Sequence, residues 1–352
     1  MTRLPFRRAL LQAAVACAAL LALPTQAGIA RSVADIKKVQ ASDENPAYQK
    51  LVSAANAVVG VKVKALPNAR SNETLGQERN GSGVVINADG LVLTIGYLIL
   101  EADSVEVTDG DSQTLPATVI AYDHATGFGL VKPMGRIASP PIRMGTARPV
   151  GQLDRLMIVT GGAEQAVSIA TVVSKRKFAG YWEYLIDDAI FTSPPRLDHS
   201  GAALINKDGE LVGIGSLFVM DALTPGERLP GNMFVPVDLL KPVLDELVRT
   251  GSQSAARRPW LGINSLEEDG RIKVMQVNED SPAEKAGIEA GDIILSVDGL
   301  PVESLEKFYN SIWHRGPAGT EFTLTVLHGV QVRQVPVRSI DRREFMRRKP
   351  TV

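Results

Sequence analysis

Ser200 lies in the stretch Asp198-His199-Ser200-Gly201-Ala202-Ala203-Leu204, where one apolar run turns into the next. A serine in such a turn is either a nucleophile or a small residue that fits a tight corner. Acyl transfer by serine requires a hydroxyl, an imidazole to take its proton and a carboxylate to orient the imidazole. The chain has four histidines to offer, His124, His199, His314 and His328. His199 adjoins Ser200, but neighbours in an extended turn point apart. His124 reads as a surface side chain, and His314 and His328 fall far along the chain and read as exposed. Lys132 or Lys175 could serve a serine/lysine dyad, the weakest of the alternatives. No grouping of His, Asp and Glu has metal-ligand spacing, so no metal or other cofactor is expected. The single cysteine, Cys17, precludes a disulfide and sits in an N-terminal apolar run.

The elements that would position Ser200 are short. From Ala54 onward, apolar runs alternate with turns, and Asn87-Ala88-Asp89-Gly90 and Asn206-Lys207-Asp208-Gly209 link such runs as hairpins do. Two groups of about six strands, separated by the proline-rich 139–150, read as two antiparallel barrels packed together. The stretch 239–250, LLKPVLDELVRT, reads as a helix stopped by Gly251, and 251–258 as a linker. A second unit starts at RPWLGI and runs over 259–341, with a short helix over SPAEKAGI. A second helix places Leu305, Phe308 and Ile312 on one face. Residues 342–352 form a basic tail that reads as a solvated end.

Arg3, Arg7 and Arg8 precede an apolar run from Ala9 to Leu23 and the small-residue site Thr25-Gln26-Ala27. Residues 1–27 therefore read as a cleaved signal peptide, followed by a loose segment over 28–45. A periplasmic location follows, with a membrane anchor as the lesser option and no span remaining after cleavage. The twin arginines leave Sec and twin-arginine export both open. A formal net charge of −1 gives no field that would recruit nucleic acid.

The ordered segments GSGVVINADGLVLT, YDHATGFGLVK, SGAALINKDGELVGI, VPVDLLKPVLDELVRTG and RPWLGI resemble the HtrA family of exported trypsin-like serine proteases with a C-terminal PDZ domain. The likeness runs over roughly residues 50 to 340. It implies a mostly β fold: a trypsin-like double β-barrel over 46–250 followed by a PDZ domain over 259–341. It also implies a triad, and here the chain departs from its relatives. The position of the family's histidine holds Tyr97, and that of its aspartate holds Gly127. Ser200 is retained, but the glycine two residues before it, whose N–H belongs to the oxyanion hole, is Asp198. A tyrosine of ordinary pKa is a poor base at neutral pH, glycine offers none, and a carboxylate beside an oxyanion would repel it.

The binding features survive. Trp260, Leu261, Gly262 and Ile263 match the loop whose backbone N–H groups hold a peptide's terminal carboxylate, with the next strand accepting the peptide as an added sheet edge. Phe308 is expected along the groove or in the core beneath it, and core packing is the expected role for at least two of Leu305, Phe308 and Ile312. The resemblance implies an exported pseudoprotease whose PDZ domain binds extended or unfolded polypeptides and C-terminal peptides. Its role would be that of scaffold, chaperone-like binder or regulator, as a homotrimer or in mixed oligomers with active relatives. The alternative is a serine endopeptidase with a non-standard base, working in periplasmic protein quality control.

Overall fold

The computed structural model describes residues 31–32, 45–162, 165–253 and 257–347. The signal-peptide and loose-segment expectations lie outside these residues, apart from 31–32 and Asn45.

After helix α1 (Pro46–Asn56), six strands close a barrel: β1 (Val58–Ala65), β2 (Glu78–Val85), β3 (Val92–Ile95), β4 (Ala102–Thr108), β5 (Thr114–Tyr122) and β6 (Phe128–Pro133). They pair antiparallel in the order β1-β2-β3-β6-β5-β4. The alternation in β1 turns Lys62 and Lys64 outward and buries Val61 and Val63, the period a one-sided strand requires. The β2–β3 turn is the hairpin expected from the sequence: Asn87 Oδ1 accepts the Leu91 N–H at 2.9 Å. Between β3 and β4 lies a single helical turn, α2 (Gly96–Ile99).

The second set comprises β7 (Arg155–Thr160), β8 (Ala166–Gly180), β9 (Tyr184–Ser193), β10 (Ala203–Ile205), β11 (Leu211–Val219) and β12 (Gly231–Pro236). Its order is β8-β9-β12-β11-β10-β7, and β7 pairs back on β8 to complete the circuit. The two expected barrels are present. The expected helix over 239–250 is shorter: α3 covers Leu244–Thr250, preceded by a 3-10 turn over Val237–Leu239. Pro242 explains this, since it lacks the N–H for the helical ladder and its ring crowds the preceding turn. Gly251 ends α3 in a left-handed conformation, as expected.

The second unit has its own core. Strands β13 (Pro259–Trp260), β14 (Ile263–Glu268), β15 (Arg271–Val277), β16 (Ile293–Val297), β17 (Leu300–Pro301), β18 (Glu321–His328), β19 (Gln331–Arg338) and β20 (Ile340–Asp341) carry it. Its main sheet runs β14-β15-β16-β18-β19, flanked by α4 (Pro282–Lys285) and α5 (Leu305–Trp313). Ser281 and Ser304 cap these helices through their hydroxyls. Leu305, Phe308 and Ile312 are all buried in this core.

The tail does not begin as a solvated end. Arg342–Phe345 forms a helical turn, α6, and Phe345 packs on Trp260 with ring centroids 4.5 Å apart. The Arg70 guanidinium lies over that ring, 4.1 Å from its centre, and the Arg347 N–H reaches Glu101 of the first barrel at 2.7 Å. An aromatic residue among basic ones gave the segment an apolar anchor that a charge count overlooks.

Candidate functional site

Ser200 stands in the turn between β9 and β10, pinned by backbone from both barrels. Its carbonyl accepts the Ser82 N–H of β2 at 2.8 Å, and the Gly201 N–H donates to the Gly215 carbonyl at 2.9 Å. Gly201 has φ of 74° and a Cβ there would lie 2.0 Å from the Ser82 carbonyl oxygen, so only glycine fits. The corner is tight, which is the plainer of the two readings of this serine.

Tyr97, on α2, points at Ser200. Its hydroxyl lies 2.7 Å from Ser200 Oγ and 2.8 Å from the Ser216 carbonyl oxygen. A phenol has one hydrogen and a carbonyl can only accept. Both contacts are made together when Tyr97 donates to the carbonyl and Ser200 donates to the phenol oxygen. The serine proton is then directed at a neutral phenol. Burial pushes the Tyr97 hydroxyl up to about 12, and the bond to Ser200 only partly offsets this. At neutral pH about 1 in 100,000 molecules would carry the phenolate.

The helical turn bearing Tyr97 is held from below by Arg79. This buried guanidinium donates to the carbonyls of Gly76, Tyr97 and Leu100 and to Ser71 Oγ, at 2.7 to 3.0 Å. A helix of one turn satisfies few of its own carbonyls, and Arg79 supplies the missing donors.

Gly127 sits beside this turn, its carbonyl accepting the Gly96 N–H at 2.6 Å. Its φ is 79°, and a Cβ there would come within 2.8 Å of the Tyr184 hydroxyl. Tyr184 is buried and donates to the Thr126 carbonyl at 2.7 Å. A ring from the second barrel therefore occupies the space next to Gly127.

Asp198 does not stand as a bare charge. Arg196 holds it in a bidentate pair at 2.8 and 2.5 Å, and Thr160 Oγ1 adds a bond at 3.2 Å. Burial pushes its carboxyl up, but the bonds from Arg196 outweigh this and leave it below the ordinary carboxylate range. The repulsion expected from its sequence position is thus largely neutralised.

No substitute base among the described residues reaches Ser200. His199 Nδ1 lies 3.1 Å from the Arg196 carbonyl, and burial lowers its pKa. His124 is not the surface residue expected: it packs edge-on against Tyr122 at 4.2 Å and burial lowers it to about 3. Lys132 binds the Asp89 carbonyl and Lys175 the Ala147 carbonyl. His314 is exposed, and His328, half-exposed, pairs with Asp292 at 2.7 Å. No group of three or more His, Cys, Asp or Glu among the described residues could hold a metal ion.

A second constellation lies at the Trp260–Ile263 loop. The side chains of Trp260, Leu261, Ile263 and Phe308 are buried, so none of them lines an open groove. What the loop presents is its backbone, and that backbone holds a carboxylate. Glu183 Oε1 accepts the N–H groups of Leu261, Gly262 and Ile263 at 3.2, 2.7 and 3.1 Å, and Oε2 accepts Leu261 at 3.1 Å. Gly262 adopts φ of 84°, and a Cβ there would meet Ser281 Cβ at 2.3 Å, so the loop requires glycine to aim its donors. Beside it the Ser265 N–H of β14 donates to the Tyr181 carbonyl at 2.9 Å. Tyr309 Oη of α5 donates to the Gly180 carbonyl and accepts the Glu183 N–H. Burial pushes the Glu183 carboxyl up to about 7, against the loop N–H groups and Arg342, which lower it.

The sequence pointed to the loop and missed Glu183 and Tyr309. Glu183 lies in GYWEYL, a polar residue at a hairpin tip that looks merely solvated, and its partners are about 80 residues away.

Residues 81–214 match the family described as trypsin-like peptidase domain, and residues 259–338 match the PDZ domain. Serine endoprotease DegS of Escherichia coli (strain K12) is 31% identical over 75% of this chain and 78% of its own length. DegS of Haemophilus influenzae is 28% identical over 84% of this chain and 88% of that protein. A probable periplasmic DegP-like serine endoprotease of Chlamydia pneumoniae is 24% identical over 77% of this chain, which spans 57% of that relative's length. Among solved structures, a serine endoprotease from Yersinia pestis superposes with a TM-score of 0.52 at 25% identity, covering 84% of this chain and 97% of its own. The HtrA-type protease AlgW with a decapeptide gives 0.53 at 21% identity, covering 86% and 99%.

Proposed function

Since this chain belongs to the HtrA family of trypsin-like serine proteases with a PDZ domain, we propose that it is a member without proteolytic activity, exported to the periplasm, that works by binding polypeptide C-termini. The observation that carries this reading is the Ser200–Tyr97 contact. Among the described residues the serine hydroxyl has only a phenol, pushed up to about 12 by burial, to receive its proton. A general base must be deprotonated at working pH and poised near it. Gly127 provides no carboxylate, and the two part-buried histidines of the barrels, His124 and His199, meet Tyr122 and the Arg196 carbonyl instead. The barrels then act as a scaffold that presents the PDZ domain, whose loop is shaped for a carboxylate. Chaperone-like binding, or regulation of active relatives through shared trimers, are the roles that fit such a scaffold.

Casein degradation by the purified protein, with Ser200→Ala as control, tests the first half. The two proteins should be indistinguishable, and a fluorophosphonate probe should leave Ser200 unlabelled. Serine-dependent cleavage above the control would overturn the proposal. For the second half, peptides with a free C-terminal carboxylate should bind and their amidated counterparts should not.

A further inference from the structure

The groove between β14 and α5 is where a peptide would add to the PDZ sheet, and it is already filled by this chain. The tip of the β8–β9 hairpin, residues 180–183, enters it from the second barrel. The three loop N–H groups converge on the Glu183 carboxylate, the β14 edge pairs with the Tyr181 carbonyl, and Tyr309 clasps both sides of the tip. Ala179 and Leu185, flanking the tip, pack against the PDZ core. Outside the groove, Lys177 pairs with Glu306 of α5. These are the interactions of an extended peptide ending in a carboxylate, supplied by a side chain.

We propose that Glu183 is an internal ligand of the PDZ domain, standing in for a terminal carboxylate, so that a polypeptide C-terminus binds only by displacing the β8–β9 tip. This rests on the reading of the loop as a carboxylate site. The occupant it admits is a chain with a free α-carboxylate, because the loop offers consecutive backbone donors and no charged side chain of its own. Glu183, with φ of 57°, is the left-handed residue that closes the three-residue turn 181–183 between the paired Gly180 and Tyr184, so the tip keeps its own hairpin geometry whether docked or free. The tip is also a hairpin end, which can move without unpairing the strands behind it.

The test uses the purified full chain and two probes: a fluorescent pool of randomised decapeptides with free C-terminal carboxylates, and the same pool amidated. If the tip is docked in about nine molecules of ten, the wild type binds about tenfold more weakly than a chain with an open groove. Glu183→Ala should therefore bind the carboxylate pool about tenfold or more tightly than the wild type, with Glu183→Gln between them and no gain for the amidated pool. Hydrogen exchange gives a readout that needs no variant: the amides of Leu261, Gly262, Ile263 and Ser265 should be protected in the ligand-free wild type. Equal affinity of wild type and Glu183→Ala, or unprotected loop amides in the wild type, overturns the internal ligand but leaves the carboxylate site intact. Failure of every form to bind the carboxylate pool, or equal binding of the amidated one, overturns both.

Discussion

On the proposed function, placing histidine at position 97 and aspartate at position 127, where the family resemblance implies them, should not make Ser200 reactive. In the variant Tyr97→His/Gly127→Asp, the imidazole and carboxylate are chemically adequate, but the second substitution meets the structure. At φ of 79° a residue with a Cβ is strained by about 1–2 kcal/mol. Its Cβ would lie 2.8 Å from the Tyr184 hydroxyl, closer than real Cβ contacts allow, so the ring must move. Moving it breaks the bond to the Thr126 carbonyl in a buried setting, a further loss of about 1–3 kcal/mol.

The Gly127→Asp change alone should therefore lower the stability of the double variant by about 2–5 kcal/mol, a large share of a domain's stability. Urea denaturation followed by tryptophan fluorescence measures this, and fluorophosphonate labelling of Ser200 measures the chemistry. The expected result is a destabilised protein with no labelling. Tyr97→His alone should lose about 1–2 kcal/mol with the bonds to Ser200 and the Ser216 carbonyl, and should remain unlabelled, since its imidazole has no orienting partner. If the double variant were labelled at Ser200 while keeping wild-type stability, the argument that Tyr184 fills the carboxylate's place would be refuted.

Three further outcomes are expected. Arg79→Ala removes the donor to three backbone carbonyls in a buried corner and should destabilise the first barrel by about 2–4 kcal/mol, read as a lower urea midpoint; a change below about 0.5 kcal/mol would contradict the role assigned to it. Gly262→Val drives a side chain into Ser281 and should abolish binding of carboxylate peptides in fluorescence titration, whereas retained affinity would show that the loop is not the capture site. Burial holds the docked Glu183 carboxyl at about 7 and release returns it to its ordinary 4.5, with Arg342 and Tyr309 the charged or titratable groups facing it. Docking is thus strongest below the lower value and weakens as pH rises through the higher, so the gain in C-terminal peptide affinity of Glu183→Ala over the wild type should be larger at about pH 5.5 than at about pH 7.5; a gain that is flat or rises with pH would sink this.

The barrels and the PDZ unit were legible because each rests on local order: strand, turn and strand in sequence. Tyr97 could be assigned to a position but not to a contact, since reaching Ser200 depends on how α2 meets the second barrel. Leu261, Ile263 and Phe308 were correctly tied to the PDZ unit, yet apolar side chains beside a capture loop look alike whether they face a groove or a core. Burial resolves that only once the chain is folded, and here their backbone is what faces the carboxylate. Pro242 breaks the helix that the apolar spacing, continuous across it, predicts over 239–250. Glu183 was beyond reach. Its role is set by donors on another domain, and no periodicity or motif marks a hairpin tip as a ligand.

One hairpin joins the two altered sites. Glu183, at its tip, fills the PDZ loop, and Tyr184, the next residue, fills the space beside Gly127. In a protease of this family a carboxylate would need the second place and a client the first. The same short segment occupies both, so one hairpin ties the space beside Gly127 to the PDZ loop. Without an aspartate to accommodate, Tyr184 can anchor the strand behind the tip through Thr126, and Trp182 stacks on its ring at 5.3 Å. The anchor limits how far the tip can withdraw, so releasing Tyr184 should favour release of Glu183. The second barrel is then the element that sets how readily the PDZ domain opens.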